Sequence, residues 1–111
     1  KGSQFLVSCL PFTKETKNIV NKKLFDLMED DSVFVNIGRG KNVDEEDLHQ
    51  CLLTNKLLGA CMDVSCVEPL PKDHWIYTDE EVRDKVLLTC HKVDNMDYTL
   101  QQRGVWVKQN L

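Results

Sequence analysis

Four short apolar runs, at residues 5–10, 33–37, 58–64 and 86–90, recur along this chain at near-even intervals with charge-rich stretches between them. Each run has the length of a strand, and each is nearly continuous in its hydrophobicity, which marks a strand covered on both faces. The stretches between them are too long for hairpin turns, and two carry helical periodicity. Strands alternating with helices in this way form a parallel sheet with helices packed over it.

The boundaries between elements are legible in single residues. Pro11, which has no N–H to give a ladder, ends the first run, and a polar loop at 13–18 follows. Leu24, Leu27 and Met28 recur at helical spacing until Glu29, Asp30 and Asp31 break the pattern. The second run ends in a flexible Gly38-Arg39-Gly40. Asp44 is placed to cap a helix whose first turn is acidic at Glu45, Glu46 and Asp47, with Leu48, Cys51 and Leu52 on one face. Gly59 and Ala60 interrupt the third run with small side chains that would let a helix approach closely. Residues 68–84 read as a proline-bearing acidic connection. A last helix is expected around Met96, Leu100, Val107 and Leu111, weakened by Gly104. The order is strand, helix, strand, helix, strand, loop, strand, helix.

A chain of 111 residues makes one domain, and one of this size buries roughly 65% of its unfolded surface. It opens at Lys1 and enters a core strand almost at once, as if midway through a fold, and strands of this character need helices on both faces. Both points predict that the chain packs against more of the same sheet. A net charge of -4, with acidic clusters at 29–31, 44–47 and 79–81, leaves no basic stripe for nucleic acid. No apolar run is long enough to span a bilayer and no signal core is visible, so a soluble protein is expected. Five cysteines, Cys9, Cys51, Cys61, Cys66 and Cys90, sit mostly in apolar stretches without a C-x-x-C pair. They read as reduced, buried thiols of a cytoplasmic protein, not as a metal site.

Three side chains stand where apolar runs end: Arg39 in N-I-G-R-G at 36–40, Glu68 in D-V-S-C-V-E-P-L-P at 63–71, and His91 in L-T-C-H at 88–91. In an open parallel sheet that edge is where ligands bind, so residues distant in sequence converge there. A guanidinium, a carboxylate and an imidazole together suit proton-coupled chemistry on a carboxylate-bearing substrate.

The segments C-L-P-F-T-K-E-T at 9–16, V-N-I-G-R-G-K-N-V-D-E-E-D-L at 35–48, G-A-C-M-D-V-S-C-V-E-P-L-P at 59–71 and T-C-H at 89–91 closely resemble, in order, the NAD-dependent D-2-hydroxyacid dehydrogenases. The resemblance implies the second half of a doubly wound, Rossmann-like dinucleotide-binding domain. By the same resemblance, Arg39 binds the substrate carboxylate and polarises the 2-oxo group, since its planar fork matches a carboxylate. His91 is implied as the general acid in reduction and the base in the reverse direction, and Glu68 as the partner that favours imidazolium and raises the pKa of His91. Asp63 is implied to hold the nicotinamide carboxamide, Leu10 and Pro11 to cover the nicotinamide ribose, and Ile37, Gly38 and Val93 to border the cofactor. The family also implies a small 2-oxo or 2-hydroxy acid as substrate and a homodimer joined through the cofactor domain.

The chain departs from the family pattern at Cys90, before the histidine, and at residues 92–95 after it; Lys41-Asn42 is a further departure, expected to be harmless on the helix side. The altered surroundings of His91 leave a second reading open, a catalytically weak, dehydrogenase-like NAD sensor or corepressor. No G-x-G-x-x-G occurs, so the pyrophosphate-binding half and the substrate domain are expected outside this sequence, and NAD is not distinguished from NADP. Away from these motifs, His49 and His74 read as a polar helix-face residue and a loop residue. Trp75, Ile76 and Tyr77 either cover the sheet edge or meet a partner chain.

Overall fold

A computed structural model, which describes residues 2–91, has one parallel sheet whose four strands lie side by side in chain order. They are β1 (Phe5–Ser8), β2 (Ser32–Asn36), β3 (Leu57–Met62) and β4 (Val86–Leu88), and every neighbouring pair is parallel. Such stepwise order is what one half of a doubly wound sheet shows as its strands advance outward from the centre. Each strand ends one or two residues sooner than its apolar run. The last rungs are Ile37 N to Ser8 O (3.0 Å), Asp63 N to Asn36 O (3.0 Å) and Thr89 N to Met62 O (2.9 Å). Beyond them the chain turns out of the ladder, and every expected site residue up to His91 lies in these turns or at their edge.

Two helices pack on one side of the sheet. The first, α1 (Lys22–Phe25), is a single turn capped by Asn21, whose side chain accepts from Lys23 N. Phe25 of this turn and Met28 just past it are buried, with Leu24 partly buried, while Leu27 is 55% exposed. The expected face through Leu24, Leu27 and Met28 is therefore rotated. The turn is too short for the wider spacing to hold, and Phe25 meets Phe34 edge to face at 5.3 Å. The second, α2 (Glu45–Leu53), begins as expected: Asp44 accepts from Asp47 N, and Leu48, Cys51 and Leu52 are buried. A parallel bridge between Val20 and Val43 ties the two helix entrances together.

The connection at 68–84 holds more structure than a loop. It contains α3 (Trp75–Thr78), and a 3-10 turn (Arg83–Lys85) leads into β4. Ile76 is buried, and Trp75 packs against the core while its ring stacks on His49 at 4.6 Å. Two of the three cluster residues thus pack onto the core and α2, leaving Tyr77 well exposed. Against Gly59 it is the end of the 3-10 turn that approaches, through the carbonyl of Lys85: an added Cβ would meet it at 2.9 Å.

The sheet's other face is open among the described residues. Leu6, Phe34, Ala60 and Val86 share a register row facing the helices, so the alternate rows, with Val7, Val35, Cys61 and Leu87, face away. Val7 and Leu87 are more than half exposed, as is Phe5. The last expected helix, at 96–111, lies outside the described residues. Of the five cysteines only Cys51 is buried; Cys61 and Cys66 are intermediate, and Cys9 and Cys90 are exposed because they sit past the strand ends. No helix of the described residues is long and apolar enough to cross a membrane.

Candidate active site

The turn after β2 is shaped by its own asparagine. Asn36, fully buried, accepts from Gly38 N (3.2 Å) through Oδ1 and donates to Arg39 O (3.2 Å) through Nδ2. The segment is therefore not loose, and a 3-10 turn (Gly40–Asn42) follows at once. Its two glycines are required by close approach. A Cβ at Gly38 would lie 2.7 Å from Leu10 O, and one at Gly40 would lie 2.0 Å from both C and O of Ser65. The turn after β1 and the turn after β3 are thus both laid directly against Gly38-Arg39-Gly40.

Asn42 completes the first of these contacts. Its amide donates to Leu10 O (2.8 Å) and Pro11 O (3.2 Å), and Thr16 Oγ1 also donates to Pro11 O (2.9 Å). Asn42 is fully buried in this role, so the departure at Lys41-Asn42 is built into the bracing of the turn after β1.

After β3 the chain carries Asp63 and then Glu68. Asp63 Oδ1 accepts from His91 N (3.3 Å) and from Thr89 Oγ1, so the end of β4 is fastened to the end of β3. Glu68 Oε1 accepts from Ser65 N (3.1 Å), and Glu68 Oε2 lies 2.8 Å from His91 Nδ1. A hydrogen bond from His91, helped by the Ser65 N–H and the nearby Arg39 charge, holds the Glu68 carboxyl below the usual glutamate range against the opposing effect of burial. An ionised carboxylate only accepts, so Nδ1 of His91 carries a hydrogen and Nε2 is the nitrogen left to exchange a proton. His91 has a φ of 51°, in the left-handed region, and so turns the chain where β4 has ended.

The three expected catalytic residues therefore meet around Glu68. Arg39 shares with it a hollow of about 350 Å³, which Phe12 and Lys41 also line. His91 shares with it a second hollow of about 300 Å³, beside Leu88 and Tyr77, and Ser65 borders both. Among the described residues Arg39 makes one hydrogen bond, from Nη1 to Gly38 O (2.8 Å), out of the five N–H donors of a guanidinium. Ile37, 55% exposed, lies at the same edge as Leu10 and Pro11, whereas Val93 lies outside the described residues.

Residues 1–92 match the family described as D-isomer specific 2-hydroxyacid dehydrogenase, NAD binding domain. The chain belongs to this family. Among its curated relatives, glyoxylate/hydroxypyruvate reductase A of Enterobacter sp. (strain 638) is 43% identical over 82 residues, 74% of this chain and 26% of that protein. The human glyoxylate reductase/hydroxypyruvate reductase is 40% identical over 76 residues, 68% of this chain and 23% of that protein. Among solved structures, phosphoglycerate dehydrogenase from Lactobacillus plantarum aligns with a TM-score of 0.72 at 38% identity, covering 79% of this chain and 27% of that one. A D-isomer specific 2-hydroxyacid dehydrogenase from Xanthobacter autotrophicus Py2, solved with NADPH, aligns at 0.74 and 34%, covering 80% and 28%. The chain thus spans about a quarter of the length of the relatives it matches.

Proposed function

We propose that this chain forms the nicotinamide-side half of a dinucleotide-binding domain in an oxidoreductase that moves a hydride between NAD or NADP and a small 2-oxo or D-2-hydroxy acid. The pyrophosphate-binding half and the substrate domain are assigned to sequence beyond this chain, in keeping with its span of about a quarter of its relatives' length. The reading includes a cytoplasmic homodimer. The observation that carries it is the 2.8 Å contact between His91 Nδ1 and Glu68 Oε2, with Arg39 on the other side of the same carboxylate.

The residues at the strand ends fit a nicotinamide. Among the described residues both contacts of Asp63 fall on Oδ1, and Oδ2 is the oxygen proposed to accept from a carboxamide. Gly38 lets the Leu10-Pro11 turn close over the same edge, and Ile37 offers an exposed apolar side chain there. The nicotinamide, when bound, supplies or accepts the hydride. Arg39 grips the substrate carboxylate with its fork and polarises the neighbouring carbonyl. His91 Nε2 passes a proton to the carbonyl oxygen in reduction and takes it back from the hydroxyl in oxidation. Glu68 offsets the charge of the doubly protonated ring and fixes its orientation through Nδ1.

The test is a chimera in which residues 2–91 replace the matching segment of the Enterobacter reductase, assayed with glyoxylate and hydroxypyruvate. Replacing His91 with Asn should lower kcat by about 10²- to 10⁴-fold, the usual contribution of a positioned acid. Arg39→Gln should act mainly on kcat/KM for the acid. A folded chimera that binds NADPH without turnover would overturn the reading and favour the sensor or corepressor alternative.

A further inference from the structure

The two histidines outside the site are not solvated residues. His49 Nε2 lies 2.7 Å from Asp79 Oδ2, and His74 Nε2 lies 3.1 Å from Glu45 Oε2. The second pair touches the site. Glu45 opens α2, and its side chain is only 14% exposed. While Oε2 faces His74, Oε1 accepts from Cys66 N at 2.7 Å. His74 Nδ1 accepts from Ile76 N (3.3 Å), capping α3, so the ring hydrogen is on Nε2 and is donated to Glu45.

One carboxylate therefore joins three segments: the start of α2, the turn at 63–68 and the start of α3. Its reach into the site is short. Cys66 N, held by Glu45, is the amide next to Ser65 N, which is held by Glu68 (3.1 Å). On the inner side, Gly40 lies hard against Ser65 and Cys66, and the Cys66 thiol donates to Gly40 O at 3.3 Å. That thiol is pushed up to about 12, first by burial and then by the adjacent Glu45 carboxylate, so it stays neutral and keeps donating.

We infer that Glu45, oriented by His74, is a positioning residue that fixes the Ser65-Cys66 backbone and through it the placement of Glu68 against His91. The inference rests on the roles proposed above for Glu68 and His91. Glu45 touches neither substrate nor cofactor and acts only through the two amides. Both oxygens are used, so shortening or neutralising the side chain disturbs one contact or the other: Gln retains an acceptor for Cys66 N but turns an N–H2 toward the N–H of His74.

Carbon-detected NMR titration of the Glu68 carboxyl in the full 111-residue chain tests this. Its midpoint should rise toward the usual glutamate value in Glu45→Ala, rise less in Glu45→Asp, and stay in place in Glu46→Ala, whose exposed carboxylate contacts Gln50 instead. In the reductase chimera, Glu45→Ala should lower kcat several-fold and move the pH profile, while KM for NADPH holds. If Glu45→Ala does not fold, His74→Gln, which keeps Glu45 and removes its orienting ring, is measured in its place. An unmoved Glu68 midpoint and pH profile in these variants overturns the role of Glu45. His91→Ala separates the two ideas: if it also fails to move the Glu68 midpoint, the fault lies with the Glu68–His91 reading itself.

Discussion

Replacing Gly40 with Ala isolates the contact on which the site is assembled. The added Cβ would lie 2.0 Å from C and O of Ser65 and 2.5 Å from Cys66 N, all backbone atoms that cannot rotate away. Carbon atoms sit comfortably at about 3.5 to 4.0 Å, so the Ser65-Cys66 segment must withdraw by about 1.5 Å. That movement breaks the 2.7 Å bond from Cys66 N to Glu45 and strains the 3.1 Å bond from Ser65 N to Glu68. Overpacking costs about 1 to 3 kcal/mol, and a lost half-buried hydrogen bond about 1 kcal/mol. The φ of Gly40 is outside the left-handed region, so alanine returns about 0.4 to 1 kcal/mol by stiffening the unfolded chain. The expected net loss is roughly 1 to 4 kcal/mol, on the scale of those same effects. Urea unfolding followed by circular dichroism measures it, and Gly59→Ala, with one contact at 2.9 Å, should cost less. A Gly40→Ala protein within about 0.5 kcal/mol of the parent, the range of an innocuous surface change, would refute the claim that steric approach is what requires this glycine.

Three further outcomes follow from the same contacts. Asp44→Ala should lower stability by about 1 kcal/mol through the lost N-cap bond to Asp47 N, with Asp44→Asn close to neutral in the same urea titration. Asn42→Ala should cost about 1 to 3 kcal/mol, and hydrogen exchange should report loosened structure around residues 10–16, because its amide is the brace on Leu10 O and Pro11 O. The pH dependence has a definite sign at Glu68. A carboxyl whose folded pKa is lowered, here first by the hydrogen bond from His91, adds stability that is complete above its ordinary value of about 4.5 and is lost as pH falls through the lowered one. His91→Ala should therefore flatten the acid side of the stability curve below that pH. The change is small, because both side chains are more than two-fifths exposed and solvent screens the pair. A curve of unchanged shape counts against the bond.

What was legible in the sequence, and what was not, divides along one physical line. The sheet was visible because its signal is local: a run such as V-F-V-N-I is apolar whatever packs on it, and Asp44 with three acids after it caps a helix without help from elsewhere. The convergence of Arg39, Glu68 and His91 was visible because parallel strands deliver their ends to one edge. The braces were not visible, because each joins segments far apart in the chain through a residue type with an ordinary local reading. Glu45 reads as helix-dipole stabilisation at an N-terminus, yet its two oxygens bind Cys66 N and His74, 21 and 29 residues away. Asn42 reads as a harmless departure on the helix side, yet it spans 32 residues to Leu10 O. Gly40 reads as flexibility, although its neighbours demand the reverse, a rigid surface with no side chain on it. The signal that would have found these braces is a mismatch: a buried amide or carboxylate must have a partner, and none stands nearby in the sequence. A polar residue placed at the mouth of a parallel sheet, with its local role already filled, is therefore a candidate for holding the neighbouring strand's loop.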